Sequence, residues 1–281
     1  MARVESIESL ADPRVADYRD VKDGALRRRE GLFVVEGRGN VRVLVEQSPY
    51  PPRSLFVTPA SFEALGDTWK QLHAQTPVYL APQEILNEVV GYNVHRGCLA
   101  VGERGAEPSF EEIALPCAAG PGSVVVLEHL TDTENVGGVF RNAMAFGADL
   151  VVLSPRCCDP LYRRSIRVSM GGSLRVPFAR CDTWPGPLQR LRQAGYSLYA
   201  LSTEAGVFGL EELGGARPLP ERVAWLLGAE GEGLSEEVLA LADQCVRIPM
   251  APGVDSINVA TACGIALHQA FAARSTGGVK P

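Results

Sequence analysis

The sequence predicts an α/β protein built as two domains. Short apolar runs alternate with helical patterns along the whole chain. These runs are continuously aliphatic and β-branched, as expected for a mostly parallel sheet covered on both faces. Between residues 106 and 123 the stretch "AEPSFEEIALPCAAGPGS" breaks the alternation with three prolines and several small residues. At 281 residues the chain is long for one core and comfortable for two.

Before the break, "GLFVVEG", "RSLFVT", "TPVYL" and "RGCLAVGE" read as strands. Between them "NVRVLVEQ", "ASFEALGDTWKQLHAQ" and "PQEILNEVV" read as helices. After it, strands are expected at "SVVVLEHL", "ADLVVLSP", "RVPFAR", "YSLYALST", "RVAWLLG" and "QCVRIPM". Helices are expected at "GGVFRNAMAFG", "DPLYRRSIRVSMG", "GPLQRLRQAG", "SEEVLALA" and "INVATACGIALHQAFAA". The resulting division is an N-terminal domain at 1–105, a linker at 106–122, a second domain at 123–274 and a frayed tail at 275–281.

Composition narrows the class. No apolar run is long enough to span a bilayer, and the opening "MARVESIESLADPRV" lacks the apolar core of a signal peptide. Seven cysteines lie scattered on apolar stretches, and adjacent Cys157 and Cys158 lack the C-x-x-C spacing of a metal or redox site. Buried free thiols in a reducing cytoplasm are the expectation, with no membrane and no metal. The net charge of −6 argues against coating nucleic acid by bulk charge, yet permits a local RNA-gripping patch. Basic clusters occur at Arg27, Arg28 and Arg29 and at Arg163, Arg164 and Arg167, although each alone reads better as a solvated helix face.

Three loops at the carboxyl ends of expected strands carry polar groups that ordinary packing explains poorly, and ligands of open α/β sheets bind at such ends. "GAEGEG", after "VAWLL", has the wrong glycine order for a dinucleotide fingerprint and lacks the lysine of a phosphate loop. It holds the acid Glu230. "IPMAPGVDSINVATA" places Ser256 and Asn258 about the start of a long helix. Ser256 reads as a plain N-cap, whereas Asn258 falls inside the first turn, where capping explains it less well. "NVGGVFRN" opens a helix with Gly137 and Gly138, whose bare backbone allows close approach, and sets Arg141 over that small-residue surface.

Taken together, "ENVGGVFRNAMAFGAD", "LLGAEGEGLSEEVL" and "IPMAPGVDSINVATACGIAL" resemble, in order and spacing, the three motifs of the SpoU (TrmH-like) family of SPOUT-class RNA methyltransferases. "SIRVSMGGSLRVPF" resembles the family's serine–glycine segment, and Ile257 departs conservatively from the usual leucine. The resemblance implies a parallel sheet closed by a deep trefoil knot. It also implies S-adenosyl-L-methionine as cofactor and 2′-O-methylation of RNA by a homodimer whose active site lies near the subunit interface. Arg141 matches the catalytic arginine, Asn135 the asparagine that places it, Glu230 the acid of the second motif, and Ser256 and Asn258 the polar pair of the third. Gly228, Ile248 and Ile257 match positions whose main chain holds the cofactor, and Leu201, Ser202 and Thr203 are expected to lie against it. The N-terminal segments "GLFVVEGRGNVRVLVE" and "NVHRGCLAVGE" are similar to the small α/β RNA-binding domain often fused ahead of this catalytic domain.

The expected substrate is therefore ribosomal RNA, with transfer RNA second. A catalytically silent RNA-binding relative is the alternative from another class. It is disfavoured because the set Asn135, Arg141, Glu230, Ser256 and Asn258 is complete.

Overall fold

A computed structural model describes residues 3–19, 31–94, 96–106, 109–114, 120–203 and 207–276. The Arg27–Arg29 cluster and most of the expected tail lie outside them. The chain divides into two compact units, Met1–Glu107 with Pro160–Arg175, and Pro108–Asp159 with Val176–Pro281.

The first unit is a mixed five-stranded sheet ordered β1-β4-β3-β5-β2. Its strands are β1 (Arg3–Ser6), β2 (Leu32–Glu36), β3 (Pro52–Val57), β4 (Pro77–Leu80) and β5 (Cys98–Glu103). β2 and the last four residues of β3 are buried, which is why they read as unbroken apolar runs. β1 was not expected. It pairs in parallel with β4 at the sheet edge and is mostly exposed, so "RVES" carries no apolar signal. Helices α1 (Arg38–Gln47), α2 (Pro59–Leu65) and α3 (Gln83–Val90) connect the strands. The single long helix read at "ASFEALGDTWKQLHAQ" is broken: α2 stops at Gly66, which sits at φ +58°, and a 3₁₀ turn follows.

The excursion Pro160–Arg175, which the sequence reading kept with the second domain, groups with this first unit. Its helix α6 (Arg163–Val168) sets the Arg163 guanidinium 4.2 Å above the Tyr92 ring and 3.7 Å from the buried Glu36 carboxylate. That helix leaves Arg164 and Arg167, three positions apart, exposed.

The second unit is a wholly parallel seven-stranded sheet ordered β10-β12-β9-β11-β6-β7-β8. The strands are β6 (Gly122–Leu127), β7 (Leu150–Leu153), β8 (Phe178–Arg180), β9 (Ser197–Leu201), β10 (Phe208–Gly209), β11 (Arg222–Leu227) and β12 (Gln244–Arg247). One face packs Val124, Val126, Ala224 and Leu226 against Phe110 of α4 (Phe110–Ala114), Leu188 and Leu191 of α7 (Gly186–Gln193) and Val238 of α8 (Glu236–Leu241). Over the sheet also lie α5 (Thr133–Ala145) and α9 (Val259–Thr276).

Helix α5 begins one turn earlier than the sequence reading expected. Asp132 caps it, its carboxylate accepting from the main-chain N–H of Glu134 (2.6 Å) and Asn135 (3.1 Å). Gly137 and Gly138 are thus interior positions, and the space at Gly138 belongs to α9. A Cβ there would lie 2.7 Å from Cβ of Ala260. Asn142 donates to the Ala260 carbonyl at 2.6 Å one turn further on. The far end of α9 is tied down by Arg274, which donates to the Ser123 hydroxyl (2.9 Å) and the Gly122 carbonyl (2.8 Å) at the start of β6.

Of the described cysteines, Cys98, Cys157, Cys181 and Cys263 are buried free thiols, and Cys158 and Cys245 are partly so. Burial pushes the thiols of Cys98, Cys181 and Cys263 up to about 12. Among the described residues no helix is long and apolar enough to cross a membrane.

Overpacking at the α5–α9 contact should be felt directly. Gly138→Ala is expected to cost about 1–3 kcal/mol as the helices part to admit a methyl group. A urea midpoint lowered at unchanged slope is the signature, and an unaltered midpoint would show the contact to be looser than described.

Candidate active site

The carboxyl ends of β9, β11 and β12 and the start of α9 enclose a cavity of about 510 Å³. All six residues expected to hold a cofactor line it: Leu201, Ser202, Thr203, Gly228, Ile248 and Ile257. Three of the five expected catalytic residues, Glu230, Ser256 and Asn258, line it as well.

The turn after β11 closes on itself. Gly233 N–H donates to the Ala229 carbonyl at 2.9 Å, with Gly231 at φ +86° and Gly233 at φ +72°, the left-handed region that glycine enters without strain. A Cβ on Gly228 would run into the main chain of Gly233 and Leu234. Gly228 therefore serves closure of its own loop.

The cap of α9 also differs from expectation. The helix starts at Val259, and its capping residue is Asn258 rather than Ser256. The Asn258 Oδ1 accepts from the N–H of Ala260 (2.9 Å) and Thr261 (3.2 Å). Its Nδ2 is thereby turned the other way, donating to Oδ1 of Asn135 at 2.7 Å and to Oε1 of Glu230 at 3.2 Å. One amide thus joins all three motifs: Asn135 on α5, Glu230 in the turn after β11 and Asn258 at the head of α9.

Arg141 stands apart. It is exposed on α5, does not line the cavity, and among the described residues makes no hydrogen bond or ion pair. It shares that exposed face with Ala145. On α9, Ile265 (39% exposed), His268 and Phe271 (38%) reach the surface, and Phe146, just past the end of α5, lies edge-on to His268 at 5.5 Å.

The charge of the cavity is one-sided. Among the described residues its only ionisable lining side chains are Glu230 and Asp255, with no lysine or arginine. Asp255 and Met250 were missed by the sequence reading, although they lie in the same loop as Ser256. Apolar walls come from Leu201, Leu227, Ile248 and Ile257.

The model of the SpoU rRNA Methylase family matches residues 122–268. The chain is 40% identical over 276 residues to an uncharacterized tRNA/rRNA methyltransferase of Mycobacterium bovis, covering 95% of this chain and 91% of that protein. It is 29% identical over 181 residues to a 23S rRNA (guanosine-2′-O-)-methyltransferase of Bordetella pertussis, covering 64% and 71% respectively. Among solved structures, the AdoMet-bound rRNA methyltransferase of Sinorhizobium meliloti superposes with a TM-score of 0.78 over 97% of this chain and 98% of that one. At 23% identity that likeness is one of fold. With the family model spanning residues 122–268 and a relative alike over nearly its full length, the chain belongs to the SpoU rRNA Methylase family of RNA methyltransferases.

Proposed function

We propose that the protein transfers a methyl group from S-adenosyl-L-methionine to a ribose 2′-hydroxyl of RNA, with ribosomal RNA as the substrate. The observation that carries this reading is the Asn258 amide, which gathers Asn135 and Glu230 at a cavity whose charged lining side chains, among the described residues, are the acids Glu230 and Asp255.

The cavity suits this cofactor. About 510 Å³ lies within the range of small-ligand sites. S-adenosyl-L-methionine presents a cationic sulfonium and an ammonium, which the carboxylates of Glu230 and Asp255 complement. A dinucleotide or nucleoside triphosphate would need cations or a helix N-terminus for its phosphates. Among the described residues the lining offers no lysine or arginine to meet them, and at the start of α9 the N–H groups of Ala260 and Thr261 are already taken by the Asn258 cap. The bound cofactor supplies an activated methyl group; the chain must orient the ribose and move its proton.

Arg141 is the substrate handler. A guanidinium has five donors and no acceptor and stays protonated, so it grips an RNA phosphate and polarises the 2′-hydroxyl. The proton passes to phosphate or water. Its absence from its own chain's cavity lining favours a homodimer. On α9 Ile265 and Phe271 face outward, and Phe271 lies 6.3 Å from the ring of Phe146, just past the end of the helix that carries Arg141. A second copy packed there would cover these apolar side chains and bring Arg141 towards a site at the subunit interface.

The first unit is the RNA-binding domain on this reading, with exposed Arg164 and Arg167 of α6 contributing phosphate contacts. Ribosomal rather than transfer RNA is favoured by the Bordetella pertussis relative, whose substrate is 23S rRNA by name. The trefoil knot is the proposed threading of β12 and α9, supported by the way the loops at 228–234 and 248–258 meet at one cavity. Free buried thiols suit a cytoplasmic enzyme.

The deciding experiment is transfer of labelled methyl from S-adenosyl-L-methionine to total RNA lacking its native modifications. Label should enter ribosomal RNA and leave one linkage resistant to alkali. Arg141→Ala should lower turnover about 10²–10³-fold, the usual loss when one positioned donor is removed. Arg141→Lys should recover little of it; near-normal turnover in the lysine variant would count against the guanidinium. Label confined to transfer RNA would move the substrate, and bound cofactor with no label in any RNA would favour a silent binder.

Two further outcomes belong to the same reading. Gly228→Val should spring the turn open, weakening S-adenosyl-L-methionine by at least about tenfold in calorimetry, with the circular dichroism of the fold retained. Light scattering should return about twice the 30.1 kDa chain mass, and Ile265→Asp should shift it towards one chain. A wild-type mass of a single chain would rule out the dimer.

A further inference from the structure

We infer that Glu128 is a positioning residue that sets the shape of the cofactor cavity by clamping both ends of the turn after β11. The inference rests on reading that cavity as the S-adenosyl-L-methionine site.

Glu128 follows β6 directly and is 2% exposed. Its main-chain N–H donates to the Leu227 carbonyl at 2.9 Å, the last residue before the turn. Its carboxylate reaches the first residue after the turn. Oε2 accepts from the Ser235 N–H at 2.8 Å, and Oε1 accepts from the Ser235 hydroxyl at 2.8 Å. Between these anchors run residues 228–234, all of which line the cavity except Glu232. Ser235 also caps α8, its hydroxyl oxygen accepting from Val238 N–H at 3.3 Å. The clamp therefore fixes the turn to a strand on one side and a helix on the other.

The chemistry requires a carboxylate. Oε1 takes a further hydrogen bond from the Trp184 indole N–H at 2.8 Å, so the group meets three donors and, among the described residues, no cation. A buried carboxylate held by neutral donors alone is costly, and an apolar core could spare it. An amide in its place cannot satisfy the set. With its oxygen towards Trp184, its NH₂ confronts the Ser235 N–H; turned over, it confronts the indole N–H. Either way two donors face each other. Immediately beyond Glu128 the chain turns at His129, which holds φ +57° and donates its N–H to the Ser154 hydroxyl at 2.9 Å. A left-handed conformation at a non-glycine residue next to the clamp indicates a backbone over-determined by its surroundings.

Three partners allow the loop-clamping role to be separated from plain stability. Trp184 binds the same carboxylate but touches neither end of the turn, so Trp184→Phe removes a donor while leaving the clamp. The probe is S-adenosyl-L-homocysteine titrated by calorimetry, with methyl transfer measured at varied cofactor. Glu128→Gln should bind the probe about tenfold more weakly and raise the cofactor KM to match, with kcat at saturation within about threefold of wild type. Trp184→Phe should lower the melting temperature yet keep affinity within about twofold. Ser235→Ala should weaken binding about threefold or more, and Ser235→Thr, which keeps the hydroxyl, should restore it; this pair decides the matter if Glu128→Gln does not fold. Unchanged affinity in Glu128→Gln or Ser235→Ala, or an equal loss in Trp184→Phe, would overturn the clamp. Wild-type protein that fails to bind the probe would instead overturn the cofactor reading itself, and the clamp with it.

Discussion

An asparagine amide can face two ways, and at Asn258 the capping bond of α9 decides which. Its oxygen is committed to the N–H groups of Ala260 and Thr261, so its NH₂ must look outward to oxygen acceptors. It finds them on Asn135 in the first turn of α5 and on Glu230 in the turn after β11. Helix capping and site assembly are thus the same event. An alanine would lose the cap and both bridges, and an aspartate would keep the cap but set a carboxylate against the oxygens of Asn135 and Glu230. The rest of the site depends on this one orientation.

That orientation is useful only if α9 and α5 hold a fixed distance. The small residues between them set it. Gly138 meets Ala260 closely, and Asn142 hydrogen-bonds the Ala260 carbonyl, so the helices are pinned by packing and by a polar bond one turn apart. Arg274 secures the other end of α9 at the start of β6. The polar residues of the three motifs are therefore carried by the carboxyl ends of buried parallel strands and by helices with little freedom to shift, which favours a preorganised site.

Much of this was legible in the sequence. Strands buried on both faces announce themselves as unbroken aliphatic runs, and β6, β7 and β11 fall where "SVVVLEHL", "ADLVVLSP" and "RVAWLLG" put them. Edge strand β1 was invisible because an exposed edge needs no apolar residue. The early start of α5 turned on Asp132, a cap signal outweighed in reading by the glycine pair behind it. Grouping of Pro160–Arg175 with the first unit depends on Arg163 reaching Glu36 and Tyr92, partners far away in sequence. The six cavity-lining residues expected to hold a cofactor were picked out through family motifs, whereas Glu128 and Asp255 belong to none of the positions carried over from the resemblance. Glu128 in particular sits within an otherwise apolar strand run, where only its three buried donors reveal a role.

The distribution of charge gives the proposed chemistry its logic. A sulfonium cofactor and an RNA backbone carry opposite charges, and one pocket cannot favour both. Here the acids Glu230 and Asp255 face the cavity, while Arg141 lies outside its lining on the exposed face of α5. An arginine among those acids would pair with them, lowering their attraction for a cation and spending its own donors before RNA arrived. Separating the two within one chain keeps each group free for its own ligand. A second copy of the chain is the proposed means of reuniting them, with exposed Ile265 and Phe271, neither of which lines the cavity, as apolar surface for it to cover. Assembly and catalysis would then share a surface, and a chain that failed to pair would keep its cofactor site while losing its hold on the ribose.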